Sequence, residues 1–293
     1  TEHYRCPRQL DSLPAYSPRK APDEMKERLS LRRLMRYIVV LIPIGLFGST
    51  YFLLGEWPNY LFNDIDTEGV YRFEQQLFGI KSADGSILTP CEYFRIHHTA
   101  VLDILSGLFY LCWVPLPVIY ALVLQWQGHG DLAIRLTSAF LIVNLVGFAG
   151  YYIHPASPPW YVIEYGFTPV VNTPGNVGGF EHFDRLLHTG IFHSIYGKNA
   201  NVFAAIPSLH AAYNPIALFY AMKVRDNRLW QTVLAVVSVG IWFSAVYSCH
   251  HYIIDVTLGV LTTIIGIALF EAILLRIPQV NTAYIRLSAW LSR

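Results

Sequence analysis

The chain has 293 residues, 54% hydrophobic and 14% charged, where an ordinary soluble domain carries about 25% charged residues. That balance excludes a single soluble domain and points to a multi-pass membrane protein, and a net charge of +1 leaves no basic surplus for a nucleic-acid partner. The four cysteines, Cys6, Cys91, Cys112 and Cys249, show neither C-x-x-C spacing nor a disulfide framework.

Residues 1–36 are polar and basic and read as a cytoplasmic arm, with no cleavable signal peptide and with "DEMKERLSLRRLMRY" as a basic helix. Six apolar stretches of roughly bilayer-crossing length follow, near 37–54, 99–124, 133–152, 206–222, 229–248 and 251–275. The expected fold is therefore all-α: a polytopic bundle of six transmembrane helices over 37–275, with a cytoplasmic tail at 276–293. The fourth stretch, "PSLHAAYNPIALFYAM", is short and contains Pro215. It crosses only if neighbouring helices replace the hydrogen bond the proline lacks. Between the spans lie two long loops, about 55–97 and 153–205. In the first, "TEGVYRFEQQLFGI" puts Val70, Phe73, Leu77 and Ile80 on one helical face, lying in the membrane interface or packed beneath the loop. In the second, "PASPPWY" reads as a rigid extended wall whose Trp160 and Tyr161 also suit an interface, and "NTPGNVGGF" as a turn-rich segment.

Lys and Arg set the orientation. Of 21, five (Arg72, Lys81, Arg95, Arg185 and Lys198) fall in the long loops, and the other 16 lie in the termini, at the start of the third span (Arg135) and in the "AMKVRDNRL" turn. The positive-inside rule then places both termini in the cytoplasm and the long loops outside. No Asn-x-Ser/Thr acceptor occurs, which favours a bacterial inner membrane over the Golgi.

Chemistry concentrates in "AVYSCHHYIIDV", Ala245 to Val256. On a helix His251 and Asp255, four residues apart, share a face, whereas His250 and Asp255 diverge by roughly 140°. His251 is therefore the expected working histidine, its tautomer fixed by Asp255. "AAIPSLHAAYN" supplies Ser208 and His210 at the head of the fourth span. Two crossings separate His210 from His251, so both emerge at the outer face, where they can divide nucleophilic and acid–base roles. His97, His98, His182, His188 and His193 read as polar trim at the interface. A zinc site on His210, His251 and Asp255 is disfavoured, since neither H-E-x-x-H nor a fourth ligand is present. Asp103, costly inside a span, has two readings. With His154, Tyr151 or Tyr152 it binds a polyol headgroup, or it makes a buried hydrogen bond between helices.

"IPSLH", followed about 40 residues on by "HHYIID", resembles the type 2 phosphatidic acid phosphatase superfamily, six-helix enzymes that act on lipid phosphates without metal. "HPASPPWY" and "LDILSGLFYLCWVPLP" extend the resemblance to the inositol phosphorylceramide synthase branch over roughly 98–270; sphingomyelin synthases share a related "HHY" block but match the proline-rich piece poorly. The resemblance implies that His251 attacks phosphorus to give a phosphohistidine, that Asp255 orients it, and that His210 protonates the leaving alkoxide and then deprotonates the incoming hydroxyl. Ser208 would hold phosphate oxygens. Implied partners are phosphatidylinositol and ceramide-type lipids, with no cofactor and no metal; a lipid phosphate phosphatase or a sphingomyelin-synthase-like transferase is the alternative.

The departures from the superfamily pattern are as informative as the matches. Gly147 stands where the phosphatases have Lys, His154 and Ala245 where they have Arg, and Leu209 replaces the Gly of P-S-G-H. A phosphomonoester approaches two negative charges at neutral pH and a phosphodiester carries one, so a site short of three cations is expected to prefer diesters, that is, headgroup transfer.

Overall fold

The computed structural model describes residues 31–197, 201–224 and 227–292. The chain divides into two compact units, 1–35 and 36–293. Only 31–35 of the first unit are described, as the opening of a helix, and residues 1–30 of the arm expected over 1–36 lie outside the described residues. Apart from the opening residues of that helix, everything that follows concerns the second unit.

Helix α1 (Leu31–Glu56) covers the first predicted span. The loop after it folds as α2 (Gly69–Phe78), a two-stranded hairpin of β1 (Ile80–Lys81) and β2 (Ile87–Leu88), and α3 (Pro90–Ile96). Thr89 and Glu92 close a reciprocal capping box at the head of α3. Of the two placements expected for the apolar face of α2, the structure does not have the one packed beneath the loop. Val70 and Glu74 point inward, while Phe73 and Leu77 are half exposed. Non-local bonds to Glu74, described below, outweigh the helix's own apolar periodicity.

The second predicted span is two helices, α4 (Ala100–Tyr110) and α5 (Pro115–Trp126), bent by 45°. Pro117 has no N–H for the carbonyl of Trp113, and Asn214 Nδ2 reaches the carbonyls of Cys112 and Trp113, each at 3.4 Å, from a neighbouring helix. Helix α6 (Gly130–Ile153) is unbroken. In the second long loop "PASPPWY" is extended only to Pro158; Pro159 opens α7 (Pro159–Tyr165), with Pro at the first helical position. Trp160 and Tyr161 are buried, which removes them as interface anchors. Two short helices follow, α8 (Glu181–Leu186) and α9 (Ile191–Tyr196).

At the centre of the bundle stands α10 (Leu209–Ala221), packed against α5, α6, α11 (Arg228–Tyr247) and α12 (Ile253–Ala268). Pro215 leaves the carbonyl of Ala211 without its helical donor, and Trp242 Nε1 on α11 supplies one at 2.9 Å. Gly259 lets α12 approach the head of α10, since a Cβ there would lie 2.1 Å from the Ser208 carbonyl oxygen. Helix α12 continues through a π-helical turn (Leu269–Ile273), where Glu271 pairs with Arg135 and accepts from the Tyr220 hydroxyl at 2.7 Å. The segment expected as a tail holds α13 (Pro278–Leu291), which packs on α6 and buries Leu291.

Among the described residues four helices are long and apolar enough to cross a membrane, or five if the bent α4–α5 pair is one span. Helix α10 has 13 residues, about 20 Å of rise against a hydrocarbon core of about 30 Å. Apolar side chains on α11 (Val236, Val239) and α12 (Leu261, Ile264) face outward, as lipid-facing helices require.

Candidate active site

The site is built on the turn between α11 and α12 and on the head of α10. Helix α11 ends at Tyr247, Cys249 takes a left-handed conformation (φ 61°), and the chain doubles back so that the amides of His250 and His251 both donate to the Ala245 carbonyl at 3.0 Å. The Ser208 amide donates to the Asp255 carbonyl at 3.0 Å, tying the head of α10 to the first turn of α12. These two constraints bring His210 and His251, 41 residues apart, to ring-nitrogen contact: His210 Nδ1 lies 3.2 Å from His251 Nε2. His251 Nδ1 faces Asp255 Oδ2 at 3.4 Å, longer than a well-formed N–H···O bond and short enough to tighten when substrate binds. The same oxygen accepts the Tyr252 amide at 2.9 Å. Asp255 is fully buried, so its carboxylate addresses the imidazole and not water. The contact between the rings lies where a phosphorus held between them must enter, and a bound phosphate has to part them.

Aromatic rings set the angle of the acid–base ring. Trp113 lies 4.3 Å from His210 and Tyr110 stacks on it at 4.9 Å. Trp113 reaches this position because the chain bends ahead of Pro115 and Pro117, so the proline-rich "VPLP" acts on the site through helix geometry. His250 turns the other way. Its Nε2–H donates to the Val177 carbonyl at 2.9 Å, its ring stacks on Tyr196 at 4.1 Å, and burial pushes its pKa down to about 3. It is a neutral pin that holds the "NTPGNVGGF" segment over the site.

"HPASPPWY" closes one side. Its backbone bonds to Asp66 in the first loop (Asp66 N to Pro155 O, 2.8 Å), to Phe203 ahead of α10 (Ala156 N to Phe203 O, 3.0 Å) and to the histidine turn (Trp160 N to Cys249 O, 2.9 Å). The cavity in front of His210 and His251 has a volume of about 120 Å³ and is walled by Phe47, Tyr51, Trp113, Tyr151, Trp160 and Tyr213, among others. No Lys, Arg, Asp or Glu lines it among the described residues.

Comparison with known proteins adds the family. A PAP2 superfamily model matches residues 87–269. The chain belongs to the PAP2 superfamily. It is 51% identical to a phosphoinositol dihydroceramide synthase of Bacteroides thetaiotaomicron over 239 residues, covering 82% of this chain and 78% of that protein. Two fungal relatives are more distant. The inositol phosphorylceramide synthase of Candida albicans is 28% identical over 57% of this chain and 35% of its own length, and the inositol phosphorylceramide synthase catalytic subunit of Saccharomyces cerevisiae is 29% identical over 74% and 52%. No solved structure matches.

Against the PAP2 phosphatase pattern, the structure gives each missing cation a local explanation. A Cβ on Gly147 would stand 2.5 Å from Leu209 Cδ2, so the leucine occupies the space into which a lysine at 147 would grow. The two departures are one packing exchange. Ala245 is fully buried and serves the turn through its carbonyl. His154 is half exposed and pairs with Asp66 (Nε2 to Oδ2, 3.2 Å), outside the cavity wall.

The other expected binding residues scatter. Tyr151 lines the cavity. Ser208 is buried beside His210, and its Oγ has no hydrogen-bond partner among the described residues. Tyr152 donates its hydroxyl to the Trp57 carbonyl at 2.5 Å, away from the cavity. Asp103 is buried between helices: Tyr247 donates to its Oδ1 at 2.7 Å and His98 Nδ1 meets its Oδ2 at 3.1 Å. Of the two readings of Asp103, the structure has the hydrogen bond between helices. His98, Asp103 and His182 together resemble a metal-ligand set. The His98 and His182 rings, however, stack 3.9 Å apart at 8°, so their in-plane lone pairs run parallel and share no point where an ion could sit. Residues that sequence reading passed over are Trp113, Tyr110, Tyr196 and Glu74; the prolines at 115 and 117 were the available signal for Trp113.

Proposed function

We propose that this protein transfers phosphoinositol from phosphatidylinositol to the primary hydroxyl of a ceramide-type lipid through a phosphohistidine on His251. His251 Nε2 attacks phosphorus, the bond from phosphorus to the diacylglycerol oxygen breaks, and His210 gives that oxygen its proton. The ceramide hydroxyl then attacks the phosphorus, its proton passes to His210, and the P–N bond breaks, which restores both rings. Asp255 holds the Nδ1 proton and stabilises the cationic ring as it forms. Ser208, whose Oγ has no other partner, donates to a phosphate oxygen.

The observation that carries this reading is the 3.2 Å contact of two imidazoles at a cavity whose described wall holds no fixed cation. Such a site suits the single charge of a diester better than the near-double charge of a monoester. The names of the relatives, phosphoinositol dihydroceramide synthase and inositol phosphorylceramide synthase, support the same substrates. In this reading the bent α4–α5 pair and α10 complete six crossings, both termini are cytoplasmic, and the site faces the outer leaflet of a bacterial inner membrane. Both lipids reach His251 sideways from the bilayer.

The test uses purified protein and phosphatidylinositol labelled in the headgroup, with and without ceramide. Labelled inositol phosphorylceramide with ceramide, and an acid-labile, base-stable phosphoenzyme without it, is the expected result. Inositol phosphate or inorganic phosphate released at the same rate in both arms would make the protein a lipid phosphate hydrolase and end the transferase reading.

A further inference from the structure

A carboxylate that the mechanism has not used reaches the catalytic helix from the first outer loop. Glu74 on α2 is fully buried. Its Oε1 accepts the amide of Ile253 at 2.9 Å and its Oε2 the amide of Ile254 at 3.2 Å. These are the first two amides of α12, donors that a helix start leaves without internal partners. Asp255 accepts the preceding amide, that of Tyr252. Two acidic side chains thus share one helix start, one belonging to the helix and one brought by a segment 179 residues away. The same loop holds the chain on the other side of the site. The Cys91 thiol of α3 donates to the His251 carbonyl at 3.4 Å, and the Cys249 thiol donates to the Cys91 carbonyl at 3.3 Å. The backbone leaving His251 is therefore gripped at its carbonyl by α3 and two residues later by α2.

We propose that Glu74 is a positioning residue for the His251–Asp255 pair: by clamping the first amides of α12 it sets the distance and angle at which the Asp255 carboxylate meets the imidazole. The proposal rests on the reading of His251 as the nucleophile. The pair stands 3.4 Å apart and His251 Nδ1 has no other partner, so a shift of a few tenths of an ångström at the helix start decides whether the hydrogen bond closes. The clamp also has a charge state. Burial pushes the Glu74 pKa up to about 7, the bonds from Ile253 and Ile254 pull it back down, and the Asp255 charge adds to the rise. The groups facing it are Asp255 on α12 and the Cys91 thiol on α3; on its own helix Arg72 pairs with Glu68 on the exposed side. Ionised, Glu74 offers two acceptors to two amides. Protonated, it turns one oxygen into a donor that faces a donor. The clamp is therefore complete above neutral pH and opens as pH falls through about 7.

The experiment compares Glu74→Gln, Glu74→Asp and His251→Ala with the unaltered full-length protein, each checked for monodispersity in detergent. Turnover of phosphatidylinositol and ceramide is measured from pH 5.5 to 9. Gln presents one acceptor and one donor, so E74Q is expected to lose roughly tenfold in kcat, with KM for both lipids within about twofold, because one charge-assisted bond is lost without touching the cavity. The wild-type rate should rise through pH 7 on a limb that E74Q lacks, and E74D, which keeps the charge on a shorter arm, should recover part of both. If H251A is inactive while monodisperse E74Q matches the wild type in kcat and pH profile, the Glu74 proposal falls and the nucleophile reading stands. If H251A turns over normally, both fall. If neither Glu74 variant yields folded protein, Glu74 is a staple for the fold and its catalytic positioning role is overturned.

Discussion

The exchange between Gly147 and Leu209 can be run backwards. Gly147→Lys alone puts a Cβ 2.5 Å from Leu209 Cδ2 and 3.0 Å from its Cγ, so the leucine must retreat by about an ångström inside a packed wall. Overpacking of that kind costs about 1–3 kcal/mol. Leu209→Gly alone removes a buried side chain and adds backbone freedom at a helix start, together about 3–5 kcal/mol. In the double variant the lysine stem fills the space the leucine leaves. The two losses should then fall short of additive by about 1–3 kcal/mol, a coupling read from thermal unfolding of the four proteins in detergent. The second readout is chemical. An ammonium about 5 Å from the phosphorus, at an effective dielectric constant of about 20, favours each unit of phosphate charge by about 3 kcal/mol. A monoester carries nearly one unit more than a diester, so the kcat/KM ratio of phosphatidic acid to phosphatidylinositol should rise roughly a hundredfold in the double variant. A folded double variant whose ratio moves by less than about threefold would refute the charge-matching argument. Additive losses would refute the packing exchange.

Three further outcomes follow from the same contacts. Asn214→Ala leaves the Cys112 and Trp113 carbonyls of the bent helix pair without their cross-helix donor, which should cost about 1–3 kcal/mol in unfolding experiments and, by loosening Trp113 against His210, lower kcat more than it raises KM. Asp103→Asn keeps a hydrogen-bonding side chain between α4 and α11 and lies outside the cavity wall, so KM for phosphatidylinositol should stay within about twofold while the melting temperature falls; a large rise in KM would return Asp103 to headgroup binding. Trp242→Phe removes the donor that stands in for Pro215, and the buried Ala211 carbonyl left unpaired should lower stability by about 1–3 kcal/mol; an unchanged melting curve would show that α10 needs no such partner.

Much of the site was legible because its key spacings are local. The four-residue interval was read as one helical face; His251 and Asp255 do stand 3.4 Å apart, but α12 begins at Ile253 and His251 lies in the turn ahead of it. The meeting of His210 with His251 required only that two crossings return the chain to one face. The doubled histidine was separable for the same reason: His250, about two fifths of a turn out of step with Asp255 on a helix, lies among Tyr196, Phe180 and the Val177 carbonyl. Headgroup contacts were not legible in this way. Tyr151, Tyr152 and His154 are close in sequence, yet only Tyr151 lines the cavity, because consecutive residues at a helix end point in different directions and each is claimed by a different loop. The apolar spacing of α2 did not reveal its inward face, since Glu74 is buried by its bonds to the start of α12 while Phe73 and Leu77 stay outside.

The sequence by itself determined membrane residence, the helical class, the superfamily and the shortage of cations at the motif positions, since these depend on composition and on intervals of a turn or two. Only the tertiary structure decided where α4 and α5 bend, that α10 is a short central helix sustained by Trp242 and Asn214, that Leu209 fills the place of a lysine, and that Glu74 grips the nucleophile's helix. Each of these joins residues tens to hundreds of positions apart. A carbonyl acceptor freed by one proline or a volume vacated by one glycine is satisfied by whichever side chain the packed bundle brings near, and no local pattern in the chain records that partner.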